Sequence, residues 1–291
     1  MMIIRLFRAE FAKITRNYPV TCCLIWIWPF LAIALSLLLL MLVLLSSETK
    51  QSLQEDPALW TESMLAAWVI PNNQIARLVL LGFVAVLFGG EYQWNTWKTI
   101  VPRSQRVPLI VVKFISLGVF VLFAFTLTSI FLGVGFGVVS GVADAPYGPP
   151  LTAELVRDFA EDYLIQMFLA FITVMIAGGY AALAAMVTRS ILGSIIVGVG
   201  ATFIEALSVL GILLFVTFTG FEESLHLYRF TPTYNLLNVA RWLEEGLATD
   251  YEINGQQVAD TLEFSLVVLS VWVAGLIGGT AFWFQRQDVV N

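Results

Sequence analysis

Charge, histidine, cysteine and lysine are all scarce in this chain of 291 residues. Only 12% of the residues are charged, against roughly 25% in soluble domains. A single histidine, His226, leaves no material for a His-rich metal cluster. The two cysteines, Cys22 and Cys23, are adjacent inside an apolar run, which suits neither a disulfide framework nor spaced metal ligands. The four lysines are Lys13, Lys50, Lys98 and Lys113, and none follows a glycine. There is therefore no P-loop, and the chain does not bind ATP in that way. Apolar side chains, by contrast, are abundant: 59% of residues are hydrophobic and the mean hydropathy is +0.85. A water-soluble surface built from that composition would aggregate, so the excess must face lipid. The chain reads as a polytopic membrane protein, which sets aside cytosolic enzymes, secreted disulfide modules and nucleic-acid binders.

Six stretches are each long and apolar enough to cross a bilayer, for which about 20 residues suffice. They are Val20–Leu45, Asn72–Gly90, Val107–Ser140, Ile165–Val187, Ile191–Phe218 and Phe264–Phe284. The first run, 26 residues long, exceeds a signal-peptide core of about 7–15 and lacks a small-residue cleavage site, so it is expected to stay as an anchor. Basic residues set the orientation. With the N-terminus in the cytoplasm, the inner segments hold ten of the fifteen basic residues and only Glu10, Glu91 and Asp288 of the acidic ones. The outer segments then hold five basic and seventeen acidic residues, with Glu205 left inside a span. Both termini are thus expected in the cytoplasm of a cell membrane, with acidic loops outside. The fold class is an all-α bundle of six transmembrane helices in one domain, residues 1–291. Glycines four apart at Gly133, Gly137 and Gly141, and at Gly275 and Gly279, predict close helix packing.

Residues 1–18 place Ile4, Phe7, Phe11, Ile14 and Tyr18 on one helical stripe, with Arg5, Arg8, Lys13 and Arg16 off it. Such a helix lies in the interface, its apolar face in lipid and its cations at anionic headgroups. Two roles fit it: an anchor for the first span, or an anchor that also touches a cytoplasmic partner. The stretch between the second and third spans, residues 91–106, is longer than a connector needs. Trp94, Trp97 and Val101 share helical spacing, while Glu91, Lys98, Arg103 and Arg106 are polar. Gly90 permits a sharp exit from the membrane, Pro102 stops the helix and Ser104 can cap the next. Aromatic residues also collect in membrane-interface loops, so a belt loop and a partner-docking helix both fit.

Enzymatic motifs are incomplete. A rhomboid-like serine site requires Gly-x-Ser-Gly, and Val138-Val139-Ser140-Gly141 lacks the first glycine. A prenyl-protease-like Glu-Glu-x-x-x-Arg fails after Glu222-Glu223, where Leu227 stands in the arginine's place and Arg229 comes two positions late. No catalytic residue is assigned.

The connector resembles the cytoplasmic coupling helix of the type-2, export-type ABC transporter permeases. Glu91 at the membrane exit, Thr96-Trp97-Lys98, Pro102-Arg103-Ser104, Arg106 and Lys113 carry the likeness; family members often have Gly at the place of Asn95. The six-span plan and the long outer segment before the last span match in layout. The resemblance implies a membrane subunit paired with a second copy or a related permease. It also implies a separate cytoplasmic ATPase that holds the ATP and magnesium, so that this chain is not itself an enzyme and binds no cofactor. Glu91, Tyr92, Trp94, Thr96, Trp97, Lys98, Arg103 and Arg106 would transmit ATPase closure to the spans. The expected function is export of a hydrophobic or amphipathic substrate, such as a lipid, peptide or toxin. The rivals are a non-transporting membrane protein, as an intramembrane enzyme or assembly factor, and an ATP-independent secondary carrier. A carrier usually shows broken helices around polar residues near the membrane midplane, and hydropathy gives no sign of one.

The outer segment 219–263 contains an amphipathic stretch, Pro232–Glu245. In the resembling family this region carries short re-entrant or extracellular helices; a solvated loop helix fits equally. Glu205 is the ionisable residue deepest in a span, and charge there faces a bundle interior or water. It suits either a pathway residue or a hydrogen-bonded packing residue. Arg77, near the start of the second span, is expected to snorkel to the outer interface.

Overall fold

Backbone amides and carbonyls find no partners in hydrocarbon, so a lipid-embedded chain satisfies them within helices. A computed structural model describes residues 2–100, 105–253 and 256–288, and nearly all of them are helical. Helices α1 (Met2–Arg16), α2 (Tyr18–Leu24) and α3 (Ile27–Leu45) open the chain. After them come α4 (Ser47–Glu55), α5 (Trp60–Val69), α6 (Gln74–Gln93) and the short α7 (Trp97–Ile100). The two longest, α8 (Arg106–Ala143) and α9 (Ala153–Thr188), are followed by α10 (Ile191–Ala206) and α11 (Ser208–Thr219). A 3₁₀ segment (Glu222–Phe230), α12 (Pro232–Glu245), a hairpin of β1 (Asp250–Ile253) and β2 (Gln256–Ala259), and α13 (Leu262–Gln285) complete it.

Helices α3, α6, α8, α9 and α13 are long and apolar enough to cross a membrane, and α10 with α11 meets the same measure only as a bent pair, counting as a sixth if the two form one span. Every expected span therefore coincides with a helix or a helix pair. The first begins later than its hydropathy suggests, because the chain turns at Ile25–Trp26 between α2 and α3; Pro19, in the first turn of α2, divides that helix from the amphipathic arm. The Thr21 hydroxyl donates to the carbonyl of Ile14 (2.7 Å), which closes the end of α1. At about 1.5 Å per residue, α8 with 38 residues and α9 with 36 outreach the bilayer core. Their far ends are braced by the layer between the first two spans, where Trp68 is fully buried against Phe125 and Tyr163.

The fifth span departs from expectation. Its two halves diverge by 56° at Leu207, whose backbone has ψ 0° and interrupts the helical ladder. Helix α11 then turns to pack on the 3₁₀ segment. The carbonyl side of that break sits two residues after Glu205. The glycine repeats meet expectation in part: a Cβ on Gly133 would lie 2.6 Å from Met64 of α5 and one on Gly137 3.0 Å from Tyr147, whereas on Gly141 or Gly275, both exposed, it would meet nothing within 4 Å. Backbones instead come together at Gly198, where a Cβ would lie 3.1 Å from the Ala181 Cα, and at Gly89, 3.1 Å from the Ile191 backbone. The Ser194 hydroxyl donates to the Ala181 carbonyl (2.6 Å) at the first of these seams.

The core lies between α6, α8, α9 and α13. Beyond it, α12 is packed rather than solvated, with Tyr234, Asn238 and Val239 buried against α13 and α9. Asn238 Nδ2 donates to the Asp260 carbonyl (3.0 Å) and to Ser265 (2.8 Å). Arg229 grips the buried Asp260 carboxylate through both Nε and Nη2. Two poles result: a basic end with α1, α7 and the α9–α10 turn, and an acidic end with α4, α5 and α12.

Candidate functional site

At the basic end, four ionisable side chains from three elements converge. Lys113, in the third turn of α8, is fully buried. Its Nζ donates to Glu10 of α1 (2.9 Å), to Glu91 of α6 (2.6 Å) and to the Leu87 carbonyl (3.2 Å), which uses all three of its protons. Glu91 also accepts from Lys13 and from the Thr96 hydroxyl. Glu10 and Glu91 are buried, and Lys13 is half-exposed. The Trp97 ring lies 5.4 Å and the Phe88 ring 5.9 Å from the Lys113 ammonium. Buried charges are tolerated only when paired and hydrogen-bonded; two carboxylates and two ammonium groups meet that condition and sum to zero. Glu91 and Lys113 were both among the residues that carried the resemblance, without a pairing between them; Glu10 was missed. Its one visible signal was an acid standing alone in a basic arm.

This cluster corrects the reading of α1. Phe11 stacks on Phe120 at 4.8 Å, Phe7 packs on Phe11, and Ile14 is buried, so that part of the apolar stripe lies on α8. Ile4 and Tyr18 stay exposed. Arg5, Arg8 and Arg16 also stay outward, whereas Lys13 reaches Glu91 instead of a headgroup.

The connector differs as well. Helix α6 runs through Gly90 to Gln93 without a sharp exit there. Gly90 serves another purpose: a Cβ would come within 2.6 Å of the Trp94 ring, which lies back over it. The chain turns at Asn95, with φ 55°, in the left-handed region that Gly and Asn tolerate best. The turn suits Asn at this position, and would suit Gly equally. It also rotates the two tryptophans apart. Trp94 is 51% exposed, but Trp97 is 1% exposed, wedged between Tyr92 and Phe284 (4.3 Å between rings). Trp94 and Trp97 therefore do not share the expected stripe, because the helix it presumes is broken between them. Val101–Ser104, Arg103 among them, lie outside the described residues. Asn95→Ala is expected to cost about 1 kcal/mol and Asn95→Gly close to nothing, since a β-carbon in a left-handed position costs about 1–2 kcal/mol; thermal unfolding in detergent compares them.

Tyr92 and Arg106 are also committed within the chain. The Tyr92 hydroxyl pairs with Gln287, whose amide donates to the Met186 carbonyl. Arg106 Nη1 donates to the carbonyls of Phe284 (3.1 Å), Gln285 (2.9 Å) and Gln287 (2.6 Å), which satisfies the orphan acceptors at the end of α13. The expected coupling residues thus divide in two. Glu91, Tyr92, Thr96, Trp97 and Arg106 hold the end of the bundle together. Trp94 and Lys98 are exposed on the turn around Asn95, and Trp94 also borders a cleft lined by Ile14, Val20, Phe83 and Leu87.

At the acidic end, Glu205 accepts a hydrogen bond from Thr233 of α12 (3.0 Å). Tyr180 and Arg77 are its electrostatic neighbours. Arg77 lines the same cavity as Glu205, and its Nε donates to the Pro71 carbonyl (3.4 Å) just before α6. Gln166, on the same cavity, donates to Glu244 of α12 (2.7 Å). The signal for Arg77 was the same as for Glu205, an ionisable residue within an apolar run. No protein-family model matches the chain, and no curated protein matches it at a significant level.

Proposed function

We propose that the chain is the membrane-spanning subunit of an ATP-driven exporter that works with a separate cytoplasmic ATPase. The observation that carries this reading is the buried Glu10–Lys113–Glu91–Lys13 cluster. It welds the interfacial helix to the ends of two spans while Trp94 and Lys98 remain exposed on the turn beside it. A push on that turn would pass directly into α6 and α8 rather than dissipate in a loop. ATP and magnesium would reside on the partner, and a second copy or a related permease would complete the translocation path. The chain itself would perform no covalent chemistry.

The testing experiment is purification of the full chain from its native membrane, followed by reconstitution of whatever ATPase accompanies it. Co-purification with ATP-dependent transport is the expected result. Transport sustained by an ion gradient without ATP would favour a secondary carrier, the reading that the break at Leu207 beside Glu205 supports.

Sidedness is tested independently. Cysteines at Gln105 and Arg189 are expected to label only from the cytoplasm, and cysteines at Glu55, Asp158 and Asp250 only from outside. Cys22 and Cys23, both exposed, are replaced by Ser first. External labelling at Gln105 would remove the ATPase-docking role from the Asn95 turn.

A further inference from the structure

The acidic end holds a second polar site, independent of the cluster at the basic end. Helices α6, α9, α10 and α12 enclose a cavity of about 370 Å³, within the range of roughly 300–1,000 Å³ typical of small-molecule sites. Arg77 and Glu205 are the ionisable side chains on its wall among the described residues, and Thr233 and Gln166 add hydrogen-bonding groups. Thr173 adds one more hydroxyl, and the rest of the wall is apolar, with Leu169 and Ile176 from α9 and Leu237 from α12.

Two features define what fits. The first is charge. One guanidinium and one carboxylate leave the wall electrically neutral, and a ligand with a net charge would bring an uncompensated ion into a low-dielectric site. A zwitterion meets both groups at once. The second is the opening. Leu237 lines the cavity yet is 55% exposed, and Phe203 and Ile204, which precede Glu205, are also exposed. One edge of the opening is therefore apolar, with exposed apolar side chains of α10 nearby, which suits a hydrocarbon tail better than water.

We infer that this cavity binds the zwitterionic head of an amphiphile, its anionic group at Arg77, its ammonium at Glu205 and its tail leaving past Leu237. The binding stands without the exporter reading; only its description as the transported class rests on that reading.

The test uses the purified full chain in detergent and measures lipid retention by native mass spectrometry. The probes are phosphatidylethanolamine, anionic phosphatidylglycerol, uncharged diacylglycerol and soluble glycerophosphoethanolamine. Phosphatidylethanolamine is expected to be retained at least tenfold more strongly than each of the others. Glu205→Gln, which leaves Arg77 without its counter-charge, is expected to shift the preference towards phosphatidylglycerol by at least tenfold. Leu237→Trp should weaken all lipid binding without changing the order. Equal retention of phosphatidylglycerol by the unaltered chain overturns the neutral-ligand argument. Equal binding of glycerophosphoethanolamine overturns the assignment to an amphiphile. The unaltered chain and Leu237→Trp decide the matter even if Glu205→Gln does not fold. Absence of an ATPase partner would leave these outcomes unchanged, so the two proposals fail separately.

Discussion

Lys113→Met is expected to destabilise the folded chain by about 3–5 kcal/mol, the cost of leaving buried partners of an ion pair uncompensated. Methionine matches the lysine stem in length and packing, so the loss reports the charge and not a cavity. Glu10 and Glu91, both buried, would each lose the ammonium that faces them, although Lys13 would still reach Glu91. Adding Glu10→Gln and Glu91→Gln to Lys113→Met should recover much of the loss, because neutral groups no longer need the cation. The exposed pair Lys50–Asp144 (2.5 Å) serves as the control; its removal should change stability by less than about 1 kcal/mol, as for surface pairs generally. Denaturant titration in mixed micelles measures all of these. A Lys113→Met variant within 1 kcal/mol of the parent, as a rough threshold, would mean that the cluster contributes little to holding the helices together.

The two connector tryptophans give the second large effect, and they should part company. Trp97→Ala removes a fully buried indole, for which losses of about 3–5 kcal/mol are typical. Its ring contacts with Tyr92, Phe284 and the Lys113 ammonium vanish together. Trp94→Ala, on a half-exposed ring, should alter stability by less than about 1 kcal/mol. Under the exporter reading, the same change should release the ATPase or uncouple hydrolysis from transport, because central aromatic anchors often contribute at least about 2 kcal/mol to an interface. Lys98→Ala should be milder. Unfolding curves separate the stability effects, and ATPase retention after washing separates the docking effects. Should Trp94→Ala retain its ATPase and its transport, the exposed turn would be a membrane-belt feature only.

Hydropathy located the five spanning helices and the bent pair because length and apolarity are local properties. It could not report the direction of a helix, so the 56° break at Leu207 was invisible: no proline or glycine marks it, and both flanks are equally apolar. Helical spacing placed Trp94 and Trp97 together because it assumes an unbroken helix. Asn95 was visible as a departure from the resembling family, and a left-handed turn is what that residue permits. The Glu91–Lys113 pairing was half legible, since both residues carried the resemblance. Glu10 and Arg77 were visible only as charges in the wrong surroundings, and pairing them needed the distances between helices. Arg106 was legible only as a polar residue of the connector; the unsatisfied carbonyls at the end of α13, which draw it inward, are not visible in the sequence.

The neutrality of the buried cluster has a consequence for the electrical behaviour of the molecule. An elementary charge moved through the full membrane potential exchanges about 2.3 kcal/mol per 100 mV. Glu10, Lys13, Glu91 and Lys113 cancel in pairs within hydrogen-bonding distance. If the cluster moves as one body, these four side chains displace almost no net charge along the field. Voltage then exerts almost no net force on the cluster itself, and a gating current recorded from the reconstituted chain should contain no component from these four residues.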